Sequence, residues 1–343
     1  MTSVLICPAQ ADTNWTYYDF SLSGLYSSRD SSFGSHSVPP RTFVGFEYVR
    51  KFTDGPAGLS IFDIYAHLDN DPVFERLRFY FLDARARFEI EGKNRFGLRY
   101  LELGHFRLPY GIQPFYDPRG VFVMPLTVYD LGYKYDWGMN FIGDWGKNNY
   151  EVALTNATGL GFHWVPKRYL LCARVGTPRF KDLQYGFSLL YGEVPMIMLD
   201  KMHWTRGITR QRIAFDFVYD YRKRVVFQGE FLLGRNDEVD LFGYMWQMEY
   251  VPPRFQNLEI ITQLQLLHNA GFLAVPRSYR LDNSYGTLGF SYSIGQNTML
   301  RLFLVHNFNV VSAQQYLGKR NDSRLVMQLF SYGLLRPRWF SGR

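Results

Sequence analysis

The chain has 343 residues and a formal charge of +7, with 38 Lys and Arg against 31 Asp and Glu. Aromatic residues make up 18% of it, a share that suits strands and membrane interfaces. Mean hydropathy is −0.20 and no apolar run reaches the roughly 18 residues a membrane-crossing helix needs, so helical spans are excluded.

The first eleven residues, "MTSVLICPAQA", end on small residues before Asp12 and are expected to be the remnant of a signal peptide. They hold Cys7. Cys172 would then have no intrachain partner in the mature chain. Residues 12–343 are expected to form one domain. Strands are predicted at 14–27, 41–52, 59–70, 74–91, 95–109, 136–145, 149–158, 169–177, 183–194, 209–222, 224–235, 240–251, 258–269, 284–294, 298–310 and 323–336. Tight turns such as "EGKNR", "WGKNN", "RKR" and "GQN" alternate with long connections at 27–40, 110–135, 159–168, 195–208, 270–283 and 311–322. Short turns at one end and long loops at the other are the pattern of an outer-membrane barrel. The predicted fold class is therefore all-β: a transmembrane antiparallel β-barrel of about sixteen strands.

Alternation gives each strand two unlike faces. In "ARARFEIE" Arg85, Arg87, Glu89 and Glu91 share one face, and Ala84, Ala86, Phe88 and Ile90 the other. In "QRIAFDFVYDY" the set Ile213, Phe215, Phe217, Tyr219 and Tyr221 opposes Arg212, Asp216 and Asp220. A soluble sandwich would also alternate. Mixed charges on successive positions of one face suit a wet lumen, and large aromatics near strand ends suit an interfacial girdle. Phe215, Phe217, Tyr219, Tyr221, Tyr244 and Trp246 are therefore expected to face lipid. Arg85, Arg87, Arg99, Arg212, Asp216, Glu230 and Arg301 are expected on the lumen wall. Glu102 falls on the face of Leu98 and Tyr100, which points to a bulge or a different register near Leu101.

The longest connection, 110–135, has Pro114, Pro118 and Pro125 and an apolar middle at Val121–Leu126. A loop of this length in a compact fold is commonly functional. The stretches "LGHFRLPYGIQP", "DLGYKYDWG" and "NNYEVALTNATG" resemble those of the phosphate-selective-porin-like outer-membrane family. The resemblance spans roughly residues 80–160 in motif and the rest in architecture only. It implies that loop 110–135 folds into the lumen, that Arg107, Arg119 and Lys134 face Asp117 and Asp130 at a constriction, and that the barrel trimerises. The chain departs from the phosphate-specific type in lacking an arginine-rich run.

The seven His are scattered, with no zinc-like spacing, and there is no phosphate loop, GxSxG or CxxCH. No cofactor, metal or catalytic set is expected. Aromatics lie opposite the charges, which is wrong for a nucleic-acid stacking platform. The function expected is a porin passing small solutes with weak anion preference. The alternatives are a porin-like barrel ensheathing a multihaem cytochrome, and an adhesin or receptor acting through its long loops.

Overall fold

A computed structural model describes residues 13–28, 32–33, 42–53, 55–71, 76–90, 96–112, 126–131, 134–159, 167–178, 182–197, 202–268, 283–311 and 319–334. The expected signal-peptide remnant lies outside the described residues. Sixteen long strands are present: β1 (Thr13–Ser27), β2 (Thr42–Lys51), β3 (Leu59–Asp71), β4 (Arg76–Glu89), β5 (Leu98–Arg107), β6 (Tyr135–Trp145), β7 (Asn148–Thr155), β8 (Tyr169–Gly176), β9 (Leu183–Ile197), β10 (Met202–Tyr221), β11 (Val225–Asn236), β12 (Val239–Tyr250), β13 (Leu258–His268), β14 (Asn283–Ile294), β15 (Thr298–Val311) and β16 (Lys319–Leu334). Ser32–Phe33 adds a two-residue strand that prolongs the edge of β1. A short helix, α1 (Leu126–Leu131), lies between β5 and β6.

Each strand pairs antiparallel with the next, and β1 pairs with β16 in the register Tyr17↔Leu334 to Ser27↔Arg324. The sheet therefore closes and leaves no edge strand, as hydrocarbon requires. The connection expected as a long loop at 195–208 is largely strand instead, since β9 runs to Ile197 and β10 starts at Met202.

Period-two alternation decides which side chains look inward. On β10, Arg210, Arg212 and Asp216 are buried, while Ile213 is 59% exposed. Glu230 and Met245 pair with Asp216 in one inward row, and Phe231 and Tyr244 pair with Phe215 in the next, outward row. Outward rings touch one another across strands, as in Phe187–Phe215 at 5.0 Å and Phe217–Trp246 at 5.5 Å. The exterior is thus a sheath of large apolar groups, a surface that hydrocarbon solvates and water does not.

Two bulges keep charges inside. The register of β3 against β4 shifts between Tyr65 and Ala66, so Leu82 is an extra residue. Arg78 and Tyr80 before it, and Asp83, Arg85 and Arg87 after it, then share the inner face; without the bulge one set would point outward. The second shift lies between Leu98 and Tyr100 on β5, with Arg99 as the extra residue. The sequence placed this bulge near Leu101. Its effect is to turn Glu102 inward.

On the inner face of β1–β3, Asp19, Tyr65 and His67 meet across the intervening strand. His67 Nε2 lies 2.7 Å from Tyr65 Oη and 3.3 Å from Asp19 Oδ2, and the Tyr65 hydroxyl donates to Asp19. Gly45 of β2 lies beneath them. A Cβ there would come within 2.6 Å of the His67 ring and nearer still to Asp19. Gly45→Ala should therefore break this clasp and destabilise the barrel by about 1–3 kcal/mol, the usual cost of overpacking. Thermal unfolding in detergent, read by loss of the compact band on an unheated gel, would measure it; an unchanged midpoint would show that the clasp contributes nothing.

The inner face is not polar throughout, as alternation alone suggests. Leu170, Cys172, Leu190, Val194, Ile208, Ala214, Leu232, Leu241, Met245 and Leu267 point inward from β8–β13 and are buried in one apolar cluster. The cluster also holds Phe106, Leu108, Tyr110, Leu126 and Leu131, from the end of β5 and the segment that follows it. Part of the lumen is therefore a hydrophobic core built between wall and inserted chain.

Candidate functional site

The inserted segment leaves β5 at Arg107 and is pinched at its neck, where Leu108 N donates to Lys134 O at 2.9 Å. Gly111 then turns the chain with φ +59°. A Cβ at this residue would collide with the Glu230 carboxylate and the Thr127 side chain, so glycine lets the backbone approach the wall. Gly111 N donates to Ser188 Oγ on β9 at 3.0 Å, and Ile112 N to Glu230 Oε1 on β11 at 2.7 Å. From α1, Thr127 N donates to Glu230 Oε2 at 3.2 Å and Thr127 Oγ1 to Glu230 Oε1 at 2.9 Å. One wall carboxylate thus holds residues from both described stretches, Ile112 from one and Thr127 from the other. Glu230 is fully buried and would be costly without these donors.

A second anchor lies beside it. Arg212 Nε and Nη2 donate to the two carboxylate oxygens of Asp130 at 2.8 and 2.9 Å, a bidentate pair with side chains 0% and 1% exposed. The remaining Arg212 donors go to Arg235 O at 2.7 Å, Gln211 O at 3.0 Å and Asn236 Oδ1 at 2.5 Å. Tyr110 Oη donates to Asp130 Oδ2 at 3.2 Å, and Arg210 Nη1 to the Asp130 carbonyl at 2.9 Å. The planar guanidinium fork fixes direction as well as distance.

On β3–β6 the charges are layered. Arg85 contacts Asp63 at 3.2 Å, Asp83 at 3.3 Å and Glu102 at 3.4 Å, while Arg87 Nη2 reaches Glu102 at 2.6 Å. Asn140 Nδ2 donates to Glu102 Oε2 at 3.0 Å. The two arginine side chains are 24% and 25% exposed, against 7%, 10% and 3% for Asp63, Asp83 and Glu102. The guanidiniums therefore form the accessible layer and the carboxylates lie behind them.

Residues proposed from sequence scatter among several roles. Asp130, Arg212 and Glu230 come together as the anchor, and Arg85 and Arg87 as the layered patch. Asp216 is held by Arg174 at 2.6 and 3.1 Å. Arg301 is 2% exposed, bonded to Gln328 at 3.2 Å and seated over the Phe330 ring at 4.9 Å. Arg107 contacts Tyr135 Oη at 3.3 Å at the neck of the segment, and Lys134 contributes its backbone carbonyl there. Arg99 leaves the lumenal set: as the bulge residue it is 60% exposed and pairs with Asp144 at 2.8 Å. Asp117 and Arg119 lie outside the described residues. Tyr219, Tyr221 and Trp246 are 39%, 45% and 47% exposed on the outer face, with Phe215, Phe217 and Tyr244 half-buried beside them.

Sequence reasoning passed over Ser188, Arg210, Asp63 and Asp83, and read Glu102 only as the sign of a bulge. Inward parity was the available signal for Ser188 and Arg210; Asp83 and Glu102 needed the bulges to be placed. It also passed over Asp136. That carboxylate accepts from Thr155 Oγ1 at 2.6 Å and from the backbone of Ala157, Thr158 and Gly159 at 2.7, 3.2 and 3.1 Å. It ties the end of β7 to the wall beside the neck. Among the described residues no group of His, Cys, Asp and Glu has the arrangement of a metal site.

No family model matches the chain, and no curated protein matches it by sequence. Solved structures match its fold along nearly its whole length. The trimer form of OmpT, an outer membrane protein of Vibrio cholerae, superposes with a TM-score of 0.63 at 9% identity, covering 94% of this chain and 100% of its own. The anion-selective porin from Comamonas acidovorans gives 0.63 at 12% identity over 94% and 100% of the two chains. Salmonella typhi OmpF in complex with daunomycin gives 0.63 at 10% identity over 93% and 97%. The chain is similar to these in fold: a closed sixteen-stranded antiparallel barrel.

Proposed function

We propose that this chain is a bacterial outer-membrane porin, a water-filled channel for passive diffusion of small solutes with weak anion preference, and not an enzyme. The observation that carries the reading is the wall-latched segment. A connection whose described stretches, 108–112 and 126–131, are fixed to the inner wall by one buried carboxylate would narrow the bore. It also occupies lumenal space that a sheathed cytochrome would need, which favours the channel over the electron conduit. The apolar exterior supports residence in the membrane, and the trimer form of the Vibrio barrel supports a homotrimer here.

The anion preference rests on the layered patch. A permeating ion meets guanidinium groups first, while the carboxylates behind them offset much of the field, so the preference is weak. Arg85→Ala with Arg87→Ala should uncover Asp63, Asp83 and Glu102. The reversal potential in a salt gradient should then swing from mild anion to clear cation selectivity. If the double variant keeps the wild-type reversal potential, selectivity is set elsewhere. If purified barrel gives no conductance steps in planar bilayers and co-purifies with a haem protein, the porin reading fails.

A further inference from the structure

The outer face of β8–β11 carries a groove of about 660 Å³. Two cross-strand rows border it. One row is Ala173, Leu189, Ile213 and Leu233; the other is Leu171, Tyr191, Gln211 and Arg235. The first is wholly apolar. The second turns polar toward β11 and lies next to the tight hairpin at Asp237–Glu238. Ala173 leaves the depression, since its neighbours across the sheet carry full-length side chains. Apolar row and polar row thus meet at one boundary, on a surface otherwise covered by large apolar groups.

Arg235 marks the polar end. Its side chain is 53% exposed, and Asp240 takes only its Nε, at 3.0 Å. Among the described residues neither terminal nitrogen has a partner. A guanidinium with one edge neutralised and the other open presents the two parallel donors that a phosphate accepts. Gln211, next to it in the row, adds an exposed amide.

We infer that this groove binds one anionic phospholipid, with an acyl chain along the Ala173–Leu233 row and the uncompensated headgroup phosphate on Arg235. This rests on the reading of the barrel as a membrane protein. The charge complementarity is local: Leu233, at the end of the apolar row, lies two residues along β11 from Arg235, whose guanidinium edge is open among the described residues.

The test is native mass spectrometry of the delipidated barrel titrated with phosphatidylglycerol or phosphatidylcholine. Wild type should retain one phosphatidylglycerol about fivefold more tightly than phosphatidylcholine, the worth of one cation near an anionic headgroup. Arg235→Gln should abolish that preference and keep binding. Ala173→Trp should fill the groove and lose the tight lipid of either kind. Both positions face outward, so heat-modifiable gel migration will show that the variants still fold. Equal retention of the two lipids by wild type, or full retention by Ala173→Trp, would overturn the inference. Vesicle insertion, scored separately, distinguishes this from failure of the membrane reading: a barrel that inserts but shows no selective lipid sinks only the groove.

Discussion

Glu230→Ala is expected to raise single-channel conductance and to add slow current fluctuations while the barrel stays folded. The carboxylate receives Ile112 N, Thr127 N and Thr127 Oγ1, so its removal leaves two backbone amides in a buried site without acceptors. Hydrogen bonds to a charged group contribute about 1.5–3 kcal/mol each, and orphaned donors add their own desolvation cost. These values are not additive, and a loss of roughly 3–5 kcal/mol is the scale for breaking such a buried anchor. At 1.4 kcal/mol per tenfold, the equilibrium constant between the seated and released segment falls at least about a hundredfold. The strand ladder is untouched, because Glu230 takes part in it only through its backbone. Glu230→Gln should fall between: one amide oxygen still accepts, but the amide nitrogen meets a donor. Planar-bilayer recording with a gel-shift control checks this. A Glu230→Ala channel with wild-type conductance and noise would show that the segment does not set the bore.

Removing either member of the Arg212–Asp130 pair is the second large effect. Arg212→Ala leaves a buried carboxylate that, among the described residues, keeps the Tyr110 hydroxyl alone, and Asp130→Ala leaves a fully buried guanidinium whose main acceptor is gone. Each single change should cost about 3–5 kcal/mol. The double change Arg212→Ala with Asp130→Ala should cost clearly less than the sum, because the second truncation removes a charge that the first left stranded. Replacement by apolar groups of similar size, Arg212→Met with Asp130→Leu, should come close to wild-type stability, since the surrounding Leu232, Leu241 and Met245 already form an apolar core. Denaturant unfolding followed by tryptophan fluorescence gives the four corners of the cycle. Additive single and double effects would mean that the two side chains act independently, and the anchor would have to be reassigned.

These two experiments bear on residues that the sequence named for a different reason. Arg212, Glu230 and Asp130 are legible as inward or loop charges from alternation and loop position, and a charge in a lumen invites an electrostatic role. Their neighbours change the chemistry. Ile112 and Thr127 of the inserted segment lie far from Glu230 in sequence, and no local pattern says that their amides will meet it. The same holds for Arg85 and Arg87, which read as free cations until Asp63, Asp83 and Glu102 arrive from three strands. Arg99 shows the opposite failure: alternation from Leu98 points it to the lumen, but as the extra residue of β5 it is exposed and paired with Asp144.

The amino-acid sequence by itself determined most strand positions, the approximate strand count and the choice of outward face. All of these follow from period-two alternation and turn chemistry, which act over a few residues. Only the tertiary structure decided which inward charges are spent as anchors, which remain accessible, and that part of the lumen is an apolar core. Those outcomes depend on contacts between strands and an inserted segment distant in the chain, and on two bulges whose register is fixed by the partner strand rather than by the residues that carry them.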